Sequence, residues 1–207
     1  FVTEDKLGEA AETVANLNDF QGERSELIFW GQHRNEDYTP TNYEPFSDWA
    51  VSDLDGNKSF TYQSWDNSFS LGMATSNNDW IISPAVELST NRRYLIEVEL
   101  QSSPAYGATL DVYMGTSAST AGMNTQLMQI DNATGNGWFI LSTEQFDIDE
   151  NGEYYFGIHC NARTQTTIYV HGFRIYYYEN RDTDPEEVPY TEDFADADLA
   201  GWSFADG

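Results

Sequence analysis

The residues best suited to chemistry lie in one short acidic loop, Asp-Leu-Asp-Gly-Asn at positions 53–57. Asp53, Asp55 and Asn57 occupy alternate positions, and Gly56 supplies a turn between them. Hard oxygen ligands in this spacing can wrap a Ca²⁺ ion, although the loop lacks the distal glutamate of an EF-hand. Aspartate, asparagine and glycine are also ordinary turn residues, so a surface turn without an ion is the alternative.

Aromatic side chains in predicted loops and strand edges form the second group of candidates. Aromatic rings offer large amphipathic surfaces, and a sugar can stack its C–H faces on them. The candidate ligand-binding residues are Tyr38, Tyr43, Trp65 and Trp138. Most aromatic residues of such a domain belong to its core, and we expect this structural role for Trp49 and Trp80.

The sequence contains no recognisable catalytic motif. His33, His159 and His171 are far apart, and no two of them stand at the spacing of a metal site. No nucleophile elbow, zinc-protease motif or phosphate-binding glycine loop occurs. Cys160 lies on the predicted core face, where a thiol is unreactive. A glycosidase that uses a pair of carboxylates is the remaining enzymatic alternative, and we predict that the chain is not an enzyme.

The segments that must position these residues are β-strands. From about 68 to 178, apolar residues alternate with polar ones between turns rich in glycine, asparagine, serine and threonine. We assign one buried face to three such runs: Tyr94, Ile96, Val98 and Leu100; Leu110, Val112 and Met114; Tyr154, Phe156, Ile158 and Cys160. Gly172 interrupts a further run and predicts a bulge. The fold class predicted is all-β, an antiparallel β-sandwich of the jelly-roll type.

The start of the chain has a different period. Leu7, Ala10, Ala11, Val14 and Leu17 recur at helical spacing, and Thr3 is a possible N-cap. This pattern predicts one short amphipathic N-terminal helix.

The charge balance limits the possible partners. The chain has 35 acidic and 9 basic residues and a formal net charge of -26. Nucleic acids and anionic membrane surfaces require clustered cations, so neither is expected as a partner. The charge suits solubility outside a cell, or attraction of Ca²⁺ and basic protein patches. No apolar run is long enough to span a membrane, and a single cysteine allows no intrachain disulfide.

Short internal echoes predict tandem units. Thr-Glu-Asp at 3–5 returns at 191–193, and Trp49 is echoed by Trp202. Between the echoes, residues 179–188 form a charged stretch with a proline, which is typical of a linker. We therefore predict one domain over 1–178 with an insertion at about 6–44, a linker over 179–188, and the start of a similar unit at 189–207, followed by further domains of the same polypeptide.

Three elements resemble the cleaved-adhesin or choice-of-anchor J family, the jelly-roll modules of gingipain haemagglutinin regions. They are the opening run at 189–194 with Trp202, the run Asn-Asn-Asp-Trp-Ile-Ile-Ser-Pro at 77–84, and the closing strand at 168–175. The likeness covers most of the chain from Trp49 to Tyr178 but does not explain residues 6–44. The family usually has an Asp-Asn pair before its last strand, where this chain has His171 and Gly172.

The resemblance implies a secreted or cell-surface bacterial module that binds an extracellular protein or glycan. It also implies structural calcium, for which Asp53, Asp55 and Asn57 are the expected ligands, joined by Glu4. The alternatives are a carbohydrate-binding module that accompanies an enzyme, and a structural spacer without a ligand.

Overall fold

A computed structural model of the chain describes residues 24–32, 40, 42–57, 59–102, 109–130, 137–161 and 167–179. These residues form thirteen β-strands and two short 3₁₀ turns, Phe46–Asp48 and Thr120–Gly122. The strands are β1 Arg24–Gly31, β2 Tyr43–Glu44, β3 Ala50–Asp53, β4 Thr61–Gln63, β5 Ser68–Leu71, β6 Asp79–Ile82, β7 Val86–Leu88, β8 Arg92–Ser102, β9 Leu110–Gly115, β10 Thr125–Ile130, β11 Gly137–Ser142, β12 Gly152–Cys160 and β13 Ile168–Glu179.

The strands form two sheets. Sheet A has the order β11-β8-β13-β1-β2, and β4 and β5 extend it because β5 pairs with the first residues of β13. Sheet B has the order β10-β9-β12-β6-β3, and β7 pairs with the start of β12. All pairs are antiparallel except β1 with β2. Side chains from both sheets share one hydrophobic core, so the all-β sandwich prediction is confirmed.

The predicted alternation places the core correctly. Ile96, Val98 and Leu100 of β8 are fully buried, as are Leu110 and Val112 of β9. The register shift between Val170 and Gly172 is the predicted bulge. Residues of one face thus pack inward, while their neighbours lie on the outer face of each sheet.

The described residues of the range predicted as an insertion contribute to the sandwich. β1 pairs with β13 along most of its length, and Trp30 packs in the shared core against Trp49 and Phe173. The predicted N-terminal helix and the second unit at 189–207 lie outside the described residues. None of the helical segments among the described residues has the length and hydropathy of a membrane-spanning helix.

Candidate functional site

The acidic loop begins where β3 ends. Asp53 is the last residue of β3, and its carboxylate accepts hydrogen bonds from the backbone N–H groups of Asp55 (3.0 Å) and Gly56 (2.7 Å). Asp55 in turn accepts from the N–H of Asn57 at 2.9 Å. Gly56 has φ of +74°, which favours glycine. The loop is therefore folded by its own aspartates, and Asp53 and Asp55 stay exposed to solvent.

A third aspartate reaches the loop from the neighbouring strand. Asp79 opens β6 and stands directly opposite Asp53 in the antiparallel pair of β3 and β6. Carboxylate oxygens of Asp53, Asp55 and Asp79 lie within 4.8 Å of one another. Asp79 has 0% exposure, and neither of its carboxylate oxygens has a hydrogen-bond partner among the described residues. A fully buried acid therefore faces two other acids.

This environment disfavours the charged form of Asp79. Burial raises the pKa of the Asp79 carboxyl, the nearby Ser59 hydroxyl, which does not meet hydrogen-bond geometry, lowers it, and the negative charges of Asp55 and Asp53 raise it further. A buried carboxylate without a hydrogen bond is costly unless a cation or a proton compensates it. Three clustered carboxylates suit a hard divalent cation such as Ca²⁺. Such a cation can complete its coordination shell with carbonyl oxygens and water. The residues present thus fit a cation.

The predicted ligand set only partly coincides with this group. Asp53 and Asp55 belong to it. Asn57 lies in the same loop, where its amide nitrogen donates to the Ser76 hydroxyl at 3.2 Å. Glu4 lies outside the described residues. The sequence analysis did not include Asp79 among the candidate ligands, although this residue stands in the run at 77–84 that carries the family resemblance.

A rigid hairpin presents the second candidate surface. The turn between β4 and β5 carries Trp65, which is 75% exposed and donates from its ring nitrogen to the Gln63 side chain at 3.2 Å. Asn67 closes the turn with φ of +42°. Its amide oxygen accepts from the Phe46 N–H (3.0 Å) and the Tyr62 hydroxyl (3.0 Å). Its amide nitrogen donates to the Gly31 carbonyl and to the Tyr43 hydroxyl.

The underside of the hairpin is also fixed. Asp66 is 4% exposed and lies 3.1 Å from Nδ1 of His171, which is 1% exposed. The Ser68 hydroxyl donates to the Asp66 carboxylate at 3.2 Å. The other ring nitrogen of His171 is 3.0 Å from the Gln101 side chain. The turn is thus bound to β13 and β8 below it, so Trp65 projects from a preorganised support.

The structure brings together two of the four predicted ligand-binding aromatics. Tyr43 is 46% exposed, and its hydroxyl accepts a hydrogen bond from Asn67 in the turn that carries Trp65. We call Trp65 and Tyr43 the hairpin surface. Trp138 lies in β11, opposite Gln101 of β8. Tyr38 lies outside the described residues.

The described histidines and the cysteine are buried. His159 lies on the outer face of sheet B but is only 9% exposed, because its ring stacks on Trp80 with centroids 4.0 Å apart. Burial lowers the pKa of His159 to about 4. Trp80 is 6% exposed and forms a small second cluster with Ile82 and Met123, in line with the structural role expected for it. Cys160 is fully buried.

No family model and no curated protein matches the sequence. The K3 cleaved adhesin domain of Lys-gingipain from Porphyromonas gingivalis has a TM-score of 0.50 at 12% identity, covering 73% of this chain and 99% of that domain. The K1 domain of the same protein has a TM-score of 0.48 at 15% identity, covering 64% and 95%. A family 6 carbohydrate-binding module from Zobellia galactanivorans has a TM-score of 0.43 at 18% identity, covering 63% and 94%.

The similarity to the K3 domain extends over nearly all of that domain and concerns the fold. The structural neighbours include the cleaved adhesin domains K1, K2 and K3 of Lys-gingipain. The K3 domain alone thus confirms the resemblance predicted from the sequence, at the level of the fold.

Proposed function

We propose that this chain is a non-catalytic binding module that contacts an extracellular protein or glycan through the hairpin surface. The observation that carries the proposal is the exposure of Trp65, 75%, on a turn whose flanking residues are buried or hydrogen-bonded. An exposed tryptophan on a rigid support loses little conformational freedom on binding, which is the usual property of a binding hot spot.

The placement of the reactive groups supports binding rather than catalysis. His159, His171 and Cys160 are all buried, so none of them can meet a substrate in the described conformation. Asp79 is fully buried as well, which does not suit a carboxylate that must protonate or attack a glycosidic bond. A cation held by the acidic loop fits Asp79 better than a glycosidase role.

We also propose that Asp53, Asp55 and Asp79 hold a divalent cation, with Ca²⁺ as the first candidate. The support is the buried Asp79 carboxylate, which lacks a hydrogen bond from any described residue and lies within 4.8 Å of two other acids. When bound, a cation of this kind supplies charge compensation and fixes the loop. The role proposed for this cation is structural.

The charges indicate the kind of partner. Each arginine among the described residues is paired with an acid: Arg24 with Glu97, Arg92 with Glu179, Arg93 with Asp147, and Arg174 with Glu99. The remaining acids leave the surface negative, which favours neutral or basic partners over anionic ones. A secreted or cell-surface location in a bacterium, beside further domains of the same polypeptide, is the setting that we propose. The K3 neighbour is named an adhesin domain.

Binding should be tested on a glycan array and on immobilised extracellular-matrix proteins in parallel. We expect Trp65→Ala to weaken any reproducible hit about 30-fold, equivalent to about 2 kcal/mol. Val51→Ala removes another exposed apolar side chain, 45% exposed, from the edge of sheet B and serves as the control. A hit that is unaffected by Trp65→Ala would place binding elsewhere. No hit in either format would favour the structural spacer, and hits confined to polysaccharides would favour a carbohydrate-binding module.

A further inference from the structure

The outer face of sheet A carries an uncharged row of side chains beside the hairpin surface. The neighbours of Tyr169, Ile168 and Val170, are fully buried in the core. Because side chains alternate along a strand, Tyr169 lies on the outer face. The same alternation puts Gln101 of β8 there, next to the core residue Leu100.

The register aligns these residues across four strands. Tyr169 of β13 stands opposite Gln101 of β8 on one side and Ser70 of β5 on the other. Ser70 stands opposite Thr61 of β4. We call Gln101, Tyr169, Ser70 and Thr61 the neutral row. Strands lie about 4.8 Å apart, so the row extends roughly 14 Å from β8 to β4.

The neutral row continues into the Trp65 hairpin. The Gln63 amide nitrogen donates to the Ser70 hydroxyl at 2.8 Å, while the oxygen of the same amide accepts from the Trp65 ring nitrogen at 3.2 Å. Amides, hydroxyls and an aromatic ring thus follow each other along one continuous line on the protein surface.

Hydrogen-bonding groups of the row are available. Tyr169 and Gln101 are half-buried. The Tyr169 ring stacks on His171 with centroids 5.6 Å apart, and its hydroxyl has no hydrogen bond to a described residue. One end of the Gln101 amide contacts His171, and the other end has no partner in the described part of the chain. Partly exposed groups without internal partners can bond a ligand without breaking existing bonds.

We propose that the neutral row binds an uncharged oligosaccharide that runs across the strands from β8 toward Trp65. The proposal rests on the function proposed above and names the ligand class of that surface. Hydroxyl groups match amide and hydroxyl side chains, and the exposed face of Trp65 provides the stacking platform at one end. Uronic, sialic or sulfated sugars are disfavoured, because every arginine in the described ranges is already paired with an acid and the chain is strongly acidic.

The test is a calorimetric titration with hexasaccharides of glucose, mannose, galactose and xylose, beside polygalacturonate and heparin. We expect at least one neutral hexasaccharide to bind. Tyr169→Ala should weaken this binding at least tenfold, and Tyr169→Phe, which removes only the hydroxyl, about threefold. The control is Tyr155→Ala, which removes a half-buried tyrosine from sheet B and should leave the affinity unchanged. Melting curves of each variant verify that it folds.

Four outcomes would overturn the proposal, and they separate it from the proposed function. Neutral sugar binding that is lost in Trp65→Ala but intact in Tyr169→Ala would refute the row and leave the hairpin surface standing. Preference for polygalacturonate or heparin would also refute the row and leave the hairpin surface standing. Trp65-dependent binding to proteins alone would have the same consequence. Binding of none of the six carbohydrates and of no protein would refute both.

Discussion

Replacing Asp79 with asparagine should change the stability of the domain in opposite directions with and without Ca²⁺. The Asp79 carboxylate has 0% exposure, lacks a hydrogen bond from the described residues and lies within 4.8 Å of two other acids. Asparagine has nearly the same shape as aspartate but carries no negative charge. An unsatisfied buried polar group costs about 1–3 kcal/mol, and more if it is charged. In chelator we therefore expect Asp79→Asn to raise the free energy of unfolding by about 1–2 kcal/mol.

With the cation present, the wild type should be the more stable protein. A ligand that binds only the folded state at about 100 times its Kd adds about 2.7 kcal/mol. For a domain of this size, 1 kcal/mol shifts the Tm by about 2–4 °C. The wild type should thus melt about 5–10 °C higher in excess Ca²⁺ than in chelator, and Asp79→Asn should show little of this shift.

The pH dependence follows from the raised pKa of Asp79. Its ordinary value is 3.8, and burial makes the folded, cation-free protein bind this proton more readily than the unfolded chain does. Stability in chelator should therefore fall as the pH rises above the ordinary value and through the raised one. Ca²⁺ requires the carboxylate, so the Ca²⁺-dependent gain in Tm should shrink as the pH is lowered into that range.

Thermal unfolding followed by circular dichroism, at several pH values with Ca²⁺ or chelator, measures all of these effects. Asp149→Asn, which removes an exposed acid from the connection between β11 and β12, is the matched control and should respond to Ca²⁺ like the wild type. Equal Ca²⁺ responses of wild type and Asp79→Asn, or an unchanged wild-type Tm, would refute the cation site.

Three further changes test how the sandwich holds its surfaces. Asn67→Ala removes four hydrogen bonds at the hairpin and should lower the free energy of unfolding by about 2–4 kcal/mol in urea titrations; a loss below about 0.5 kcal/mol would contradict this anchoring role. Gly31→Ala should cost about 3 kcal/mol or more, since a Cβ would lie 2.1 Å from the His171 carbonyl oxygen at a φ of +129°; normal stability would show that the backbone yields there. The pKa of His159 falls from 6.5 to about 4 on folding, so wild type should lose up to about 3 kcal/mol relative to His159→Gln as the pH drops through this interval, and parallel pH profiles of the two proteins would exclude the effect.

The alternating strands were predictable because each has one core face and one outer face. β8, β9 and β12 show this pattern in the sequence, and the bulge at Gly172 is confirmed. β1 could not be recognised from its sequence pattern, because its outer face is covered as well as its core face. Phe29 lies on that face and is fully buried beneath Arg174, whose guanidinium lies 4.2 Å from the ring centroid. A bulge between Glu26 and Ile28 disturbs the alternation further.

The candidate sites were predictable only as far as they are local. The acidic loop folds through bonds among its own residues, so its aspartates could be recognised from their spacing. Asp79 joins them through the register of β3 and β6, which no local pattern encodes. The neutral row likewise depends on the strand order β8-β13-β5-β4. Of the neighbouring strands in this order, only β4 and β5 follow each other in the sequence.

The neutral row and the acidic loop lie at the same end of the sandwich. β5 ends there at Leu71 opposite Ile168, and β6 begins there at Asp79 opposite Cys160. The connection over 72–78 therefore joins the neutral row to the acidic loop. This connection accepts two hydrogen bonds from the acidic loop. The Asn57 amide donates to the Ser76 hydroxyl, and the Leu54 N–H donates to the Asn78 carbonyl. A cation that orders the acidic loop would thus also order the segment that leads from the neutral row, so Ca²⁺ is expected to strengthen any binding at that row.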